Sequence, residues 1–223
     1  MNYQFQFDAV LAAWPLLLKG TWITVQLSLT ATVLGLVVAI FCAWGKTGGP
    51  LWLRFLISAY IEVIRNTPFI VQLFFFFFAL PSIGLRWSPY TAALTAMVVN
   101  LGAYAAEIVR AGIESIPKGQ IEAGKALNLK PWEIFRFVIL KPALKAIYPA
   151  LTSQFILLML SSAVVSVISA DDLTSVAANL QSQTFRSFEI YIVVAVIYLA
   201  LSLAFSALFK LIYEHTLNYP DRR

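Results

Sequence analysis

Charge and cysteine are scarce in this 223-residue chain. A single cysteine, Cys42, excludes an intrachain disulfide, and with one histidine, the distant His215, there is no Cys/His cluster for a structural metal. Charged residues make up 12%, too few to clothe a soluble domain. No GxxxxGK[ST] run occurs, so the chain lacks a phosphate loop, and its polar segments are too short to house a nucleotide-binding domain. Residues 1–20 lack the basic start and small-residue cleavage site of a secretory signal. No nucleophile with a base, and no set of metal ligands, gathers at one depth, which argues against a membrane enzyme.

Apolar residues are abundant instead, at 60% with a mean hydropathy of +0.80. A bilayer core about 30 Å thick needs roughly 20 apolar residues per helix. Five stretches qualify, at about 22–44, 54–80, 89–113, 148–170 and 190–212. The expected fold is all-α: a polytopic membrane protein with about five transmembrane helices in a single domain, 1–223. Val10, Leu11, Trp14, Leu17 and Leu18 make 1–20 an interfacial helix on the outer side.

Lys and Arg are retained on the cytoplasmic side. With the N-terminus outside and the C-terminus inside, Lys46, Arg54, Arg110, Lys118, Lys125, Lys130, Arg136, Lys141, Lys145, Lys210, Arg222 and Arg223 fall at the cytoplasmic face. Lys19, Arg86 and Arg186 face outward, and Arg65 lies within a span. The net charge of +5 then meets anionic inner-leaflet lipid, and no nucleic-acid partner is called for.

This topology makes 115–147 a cytoplasmic loop and 213–223 a cytoplasmic tail. Pro117 and Gly119 end the third span, and Gln120 to Leu127 are good helix formers. Asn128 suits the left-handed position just past a helix end. Pro131 suits the first turn of the next helix, with Glu133 near its positive end. The predicted product is a short helix lying across the membrane surface.

Polar stripes inside spans mark a pathway or a partner, because ionisable groups there are costly. In the second span Glu62, Arg65, Asn66, Phe69 and Gln72 share a helical face, with Thr67 and Pro68 alongside. Pro68 leaves the Ile64 carbonyl without its helical donor and bends the helix near Arg65, a cation available to a carboxylate. Glu62 is alternatively a pairing partner for Arg65. In the third span Asn100, Tyr104, Glu107 and Glu114 form a second stripe. Glu107 is expected to pair with Arg110 or Arg65, while Asn100 and Tyr104 lie deeper, in substrate reach. The fourth span carries Gln154, Ser161, Ser162, Ser166 and Ser169, the last three at helical spacing, a set that serves either packing or substrate. Phe74 to Phe78 point all round their helix, so most face lipid or neighbours. Asp171 and Asp172 read as a turn and helix cap or as a docking point, and His215 as a solvated residue.

The loop E-A-G-x-x-x-N at Glu122, Ala123, Gly124 and Asn128, with Val138 and Leu140 beyond it, resembles the E-A-A loop of ABC importer permeases. Further matches are EVIRNTPFIVQLFFFF from Glu62, AYAAEIVRAGIESIPKGQ from Ala103 and FEIYIVVAVIYLALS from Phe188. Together they cover most of the chain, and they resemble the polar amino-acid uptake group in particular. The resemblance implies a bacterial cytoplasmic-membrane permease that moves polar amino acids by alternating access. Its implied partners are an ABC ATPase dimer carrying ATP and Mg, a second permease chain and an extracytoplasmic amino-acid-binding protein.

By the same resemblance, Gly119, Gln120, Glu122, Ala123, Gly124, Lys125, Asn128 and Leu129 form a coupling helix that docks on the ATPase. The polar stripes make Arg65, Asn66, Thr67, Gln72, Asn100, Tyr104, Ser161 and Ser162 the expected lining of the substrate pathway. Glu62, Glu107 and Arg110 are expected from their spacing to serve structural ion pairs. Asn128 stands where the group has Gly, and Leu160 to Ala163 lack a lysine common there, which favours a heterodimer over a homodimer. An ion- or proton-coupled secondary transporter is the alternative, opposed by the absence of a visible internal repeat.

Overall fold

The structure, a computed structural model, describes residues 4–217. Arg222, Arg223, the end of the 213–223 tail and the first three residues of the 1–20 segment lie outside the described residues. In chain order the helices are α1 (Asp8–Ala12), α2 (Trp14–Gly48), α3 (Leu51–Arg65), α4 (Phe69–Ser82), α5 (Pro89–Glu114), α6 (Lys118–Ala126), α7 (Pro131–Ile168), α8 (Leu173–Thr184) and α9 (Ser187–Thr216). Helices α2, α5, α7 and α9 are each long and apolar enough to cross a membrane, and α3 with α4 forms a pair bent by 110°. About five spans therefore stand, in the expected order.

Lipid gives apolar helices no reason to associate with one another, so close backbone approach has to do so. Ala31, Gly35, Ala39 and Ala43 recur every four residues along α2 and are all buried. A methyl group on Gly35 would come within 2.9 Å of Leu101 on α5. The main core follows from this seam and adds Ile61 of α3, Leu73 of α4, Met97 of α5 and Leu158 of α7. A second cluster joins Val10, Leu17, Leu173, Ala177 and Ile190, drawing α1, the start of α2, α8 and α9 together.

Three expectations change. Only Asp8–Ala12 is a separate short helix. Pro15 suits a first turn, and α2 starts at Trp14, so Leu17 and Leu18 belong to a 35-residue helix. The fourth span does not start at 148: α7 runs on from the loop at Pro131, through a π-helical turn at Ile134–Ile139, to a tight 3₁₀ stretch at Ser162–Ile168. The second span is not one bent helix, because α3 stops at Arg65 and Pro68 caps a new helix. The phenylalanine run then splits. Phe76 and Phe77 pack on the core, Phe76 stacks on Trp87 at 6.0 Å, and Phe74, Phe75 and Phe78 are exposed.

Asp172 caps α8 and is fully buried, while Asp171 is exposed. The Ser175 N–H donates to Asp172 Oδ1 at 2.8 Å, and Tyr198 of α9 reaches Oδ2 at 3.4 Å. Burial outweighs these bonds and pushes the carboxyl from 3.8 up to about 6. The folded state thus holds this proton more tightly than the unfolded chain. Its contribution is complete below about pH 4, is lost as pH rises to about 6 and is flat above, a change on the order of 2–3 kcal/mol. Asp172→Asn keeps a good cap without a titrating group. Its melting temperature should therefore vary less than the wild type's between pH 4 and 6, and parallel curves for the two proteins would refute this account.

Candidate functional site

The short helix α6 has the start and stop that its residues dictate. Pro117 precedes its first turn, and Asn128 sits at φ 57°, past its end. Asn128 N–H donates to the Lys125 carbonyl at 2.9 Å and Leu129 N–H to that of Gly124 at 3.1 Å, the pair of bonds that closes a helix through a left-handed residue. Glu133 reaches back to Lys130 N–H at 2.7 Å and fixes the start of α7.

Gly119, Gln120, Glu122, Ala123, Lys125 and Asn128 are exposed, and Leu129 is half-buried. Gly124 is the exception and corrects the expectation of a partner contact there. It is buried against α7, where a Cβ would lie 3.2 Å from Ile134 and 3.7 Å from Val138. The glycine seats α6 on its own chain and leaves Glu122, Ala123 and Lys125 on the outer surface.

At the break between α3 and α4, the Ile64 carbonyl freed by Pro68 is recaptured by a side chain. Gln72 Nε2 donates to it at 2.8 Å, to the Thr67 carbonyl at 3.1 Å and to Thr67 Oγ1 at 3.0 Å. Asn100 Nδ2 of α5 donates to Gln72 Oε1 at 3.0 Å. Gln72 is 6% exposed, so Gln72 and Asn100 brace the break. The single face expected from Glu62 to Gln72 ends at Arg65, because the helix does. Glu62 accepts from Asn66 Nδ2 at 3.0 Å and makes no ion pair among the described residues.

Arg65, Asn66 and Glu62 are left exposed at the break, with Thr67 half-buried beside them. The Arg65 guanidinium lies over the Tyr104 ring, 5.4 Å from its centroid, and Tyr104 Oη donates to the Arg65 carbonyl at 3.4 Å. The aromatic face holds the cation without neutralising it, so it stays available to an anion. Ser161 is exposed where α7 passes into its 3₁₀ stretch, whereas Ser162 is fully buried and donates to the Met159 carbonyl at 2.7 Å. The pair therefore points two ways.

Toward α6 the α5 stripe becomes ionic. Glu107 takes Arg110 at 2.7 Å and Lys46 at 2.6 Å, and Arg110 also binds Glu114 at 2.5 Å. Lys46, at the far end of α2, was missed as a partner. Its charge was visible, but the 61 residues separating it from Glu107 carry no sequence signal of proximity.

Residues 31–217 match a family described as the binding-protein-dependent transport system inner membrane component. The chain is 38% identical over 209 residues to a glutamine transport system permease of Escherichia coli K12, covering 93% of this chain and 95% of that one. It is 34% identical over 226 residues to an octopine transport system permease of Rhizobium meliloti, covering 97% and 89%. A crystal structure of an amino acid ABC transporter with histidines superposes with a TM-score of 0.89 at 38% identity, covering 96% of this chain and all of that one.

Proposed function

Since the chain belongs to the family of binding-protein-dependent inner-membrane components, we propose that it is the permease half-site through which an ABC importer passes a polar amino acid. The observation that carries this reading is the exposed Arg65, lying on Tyr104 and without an ion pair among the described residues, at a break between two half-helices. Such a group does not face lipid; it faces water, substrate or a second permease chain. A carboxylate is the group common to all amino acids and the natural ligand for this cation. Asn66, Thr67 and Ser161 supply hydrogen-bonding groups nearby, while Gln72 and Asn100 fix the shape of the break.

The energy comes from outside the chain. We place nucleotide and Mg on an ATPase dimer whose grooves receive α6 through Glu122, Ala123 and Lys125. Closure of that dimer then rocks the helices between two access states. A solute-binding protein delivers the amino acid on the opposite side, which puts the N-terminus outside and the C-terminus inside. A second permease completes the pathway, and Asn128 together with the missing lysine near Ser161 favours a non-identical one.

The test is to co-express the chain with its chromosomal neighbours, purify through a tag on this chain alone and reconstitute what is captured into liposomes. The expected result is an ATPase and a second permease by mass spectrometry, with ATP-dependent glutamine uptake that other α-amino acids compete for. Arg65→Gln should raise the apparent KM at least tenfold with assembly intact. Uptake driven by an ion gradient without ATP would overturn the reading in favour of secondary transport, and capture of the ATPase alone would replace the heterodimer by a homodimer.

A further inference from the structure

Helix α2 is gripped at both ends by contacts that its apolar seam does not require. At the end near α6, Lys46 in its last turn bonds Glu107 at 2.6 Å, and Glu107 is tied to Arg110 at 2.7 Å, one turn before α5 gives way to α6. At the other end, buried Thr24 accepts the Leu173 N–H of α8 at 3.1 Å. Gly20 lies so near that a Cβ would meet Leu173 Cα at 3.0 Å and the Asp172 carbonyl at 3.2 Å. Between the two grips, the Gly35 contact with Leu101 holds α2 on α5. Thr24 and Lys46 are 22 residues apart, about 33 Å of continuous helix.

The covalent route to α8 is a poorer transmitter. From α7 it passes through Ser169 in the left-handed conformation, at φ 56°, and through Ala170 and Asp171, which belong to no helix. A joint of that kind absorbs rotation, whereas a packed helix gripped at both ends conveys it.

We propose that α2 is the rod that carries movement of the coupling helix to α8, engaged by Lys46 on Glu107 at one end and by Thr24 with Gly20 at the other. The proposal rests on the reading of α6 as the coupling helix. Lys46 and Thr24 are positioning residues: they touch neither substrate nor nucleotide, and they set how far α8 follows α5. Double-mutant analysis is the physical test of such a path, since spatial intermediacy alone does not establish coupling.

The experiment measures amino acid transported per ATP hydrolysed by the complete complex in liposomes, for Lys46→Met, Thr24→Val and the double variant, with melting temperatures alongside. Each single change should lower the ratio about fivefold while ATP hydrolysis continues, and Lys46→Arg and Thr24→Ser should restore it. Because the grips act in series, the double variant should fall no further than the worse single one, where independent sites would multiply to about 25-fold. Multiplicative loss, or a wild-type ratio in either single variant, overturns the proposal. If Thr24→Val does not assemble, Gly20→Ala displaces the same contact and should give the same series behaviour. Failure of the underlying reading looks different: the wild-type ratio would then be indifferent to charge reversal on α6.

Discussion

Gln72→Leu should loosen the break between α3 and α4, with a loss of about 2–3 kcal/mol, because the half-buried Asn100 amide and the carbonyls of Ile64 and Thr67 lose hydrogen bonds at once. The Ile64 carbonyl, already deprived of a backbone donor by Pro68, loses the Nε2 bond at 2.8 Å. Asn100 loses its acceptor at 3.0 Å, and the leucine that fills the buried place of Gln72, itself 6% exposed, offers neither group a replacement. The measurement is a melting curve of the detergent-purified protein together with its membrane yield. Gln72→Glu is the sharper probe. It keeps the size and the acceptor for Asn100 but turns an oxygen toward the carbonyls of Ile64 and Thr67, so it should fail as badly as leucine. Wild-type stability in the glutamate variant would sink the bracing role.

Glu122→Arg should abolish ATP-driven uptake, by tenfold or more, without changing the stability of the permease. Glu122 is exposed on α6 and has no bonded partner among the described residues, so reversing its charge disturbs nothing inside the chain. Any effect must be read by a docking partner, where a reversed charge costs far more than a neutral loss. Gly124→Trp is not an equivalent test, since that position is packed on Ile134 and Val138, and a large side chain would lift α6 off α7. The two variants should therefore separate: the arginine protein inserts and melts normally yet does not retain the ATPase, while the tryptophan protein is also less stable. Retention of the ATPase and full uptake by Glu122→Arg would refute the docking surface.

Hydropathy made the spans legible, because the bilayer demands about 20 apolar residues whatever the tertiary arrangement. Local chemistry made α6 legible too: Pro117, Asn128 and Pro131 act on their own backbone, and Asn128 indeed sits at φ 57°. The break at Pro68 was visible as a bend, but its size was not. Whether a proline kinks a helix or ends it depends on what satisfies the freed carbonyl, and here that is Gln72, held in turn by Asn100 from another helix. Long-range choices stayed hidden for the same reason. Nothing near Glu107 announces Lys46, nothing near Leu173 announces Thr24, and the direction of Gly124 is set by α7.

The 110° break also has a consequence for how the protein is made. At about 1.5 Å per residue, the 15 residues of α3 reach roughly 22 Å and the 14 of α4 roughly 21 Å, each short of a 30 Å hydrocarbon core. Neither half can be handed to the bilayer as a finished segment during synthesis. The two must enter together, and the bond that sets their angle reaches to Asn100, which is translated later. The hydrogen bonds that fix the angle of this stretch are therefore complete only once α5 has been made.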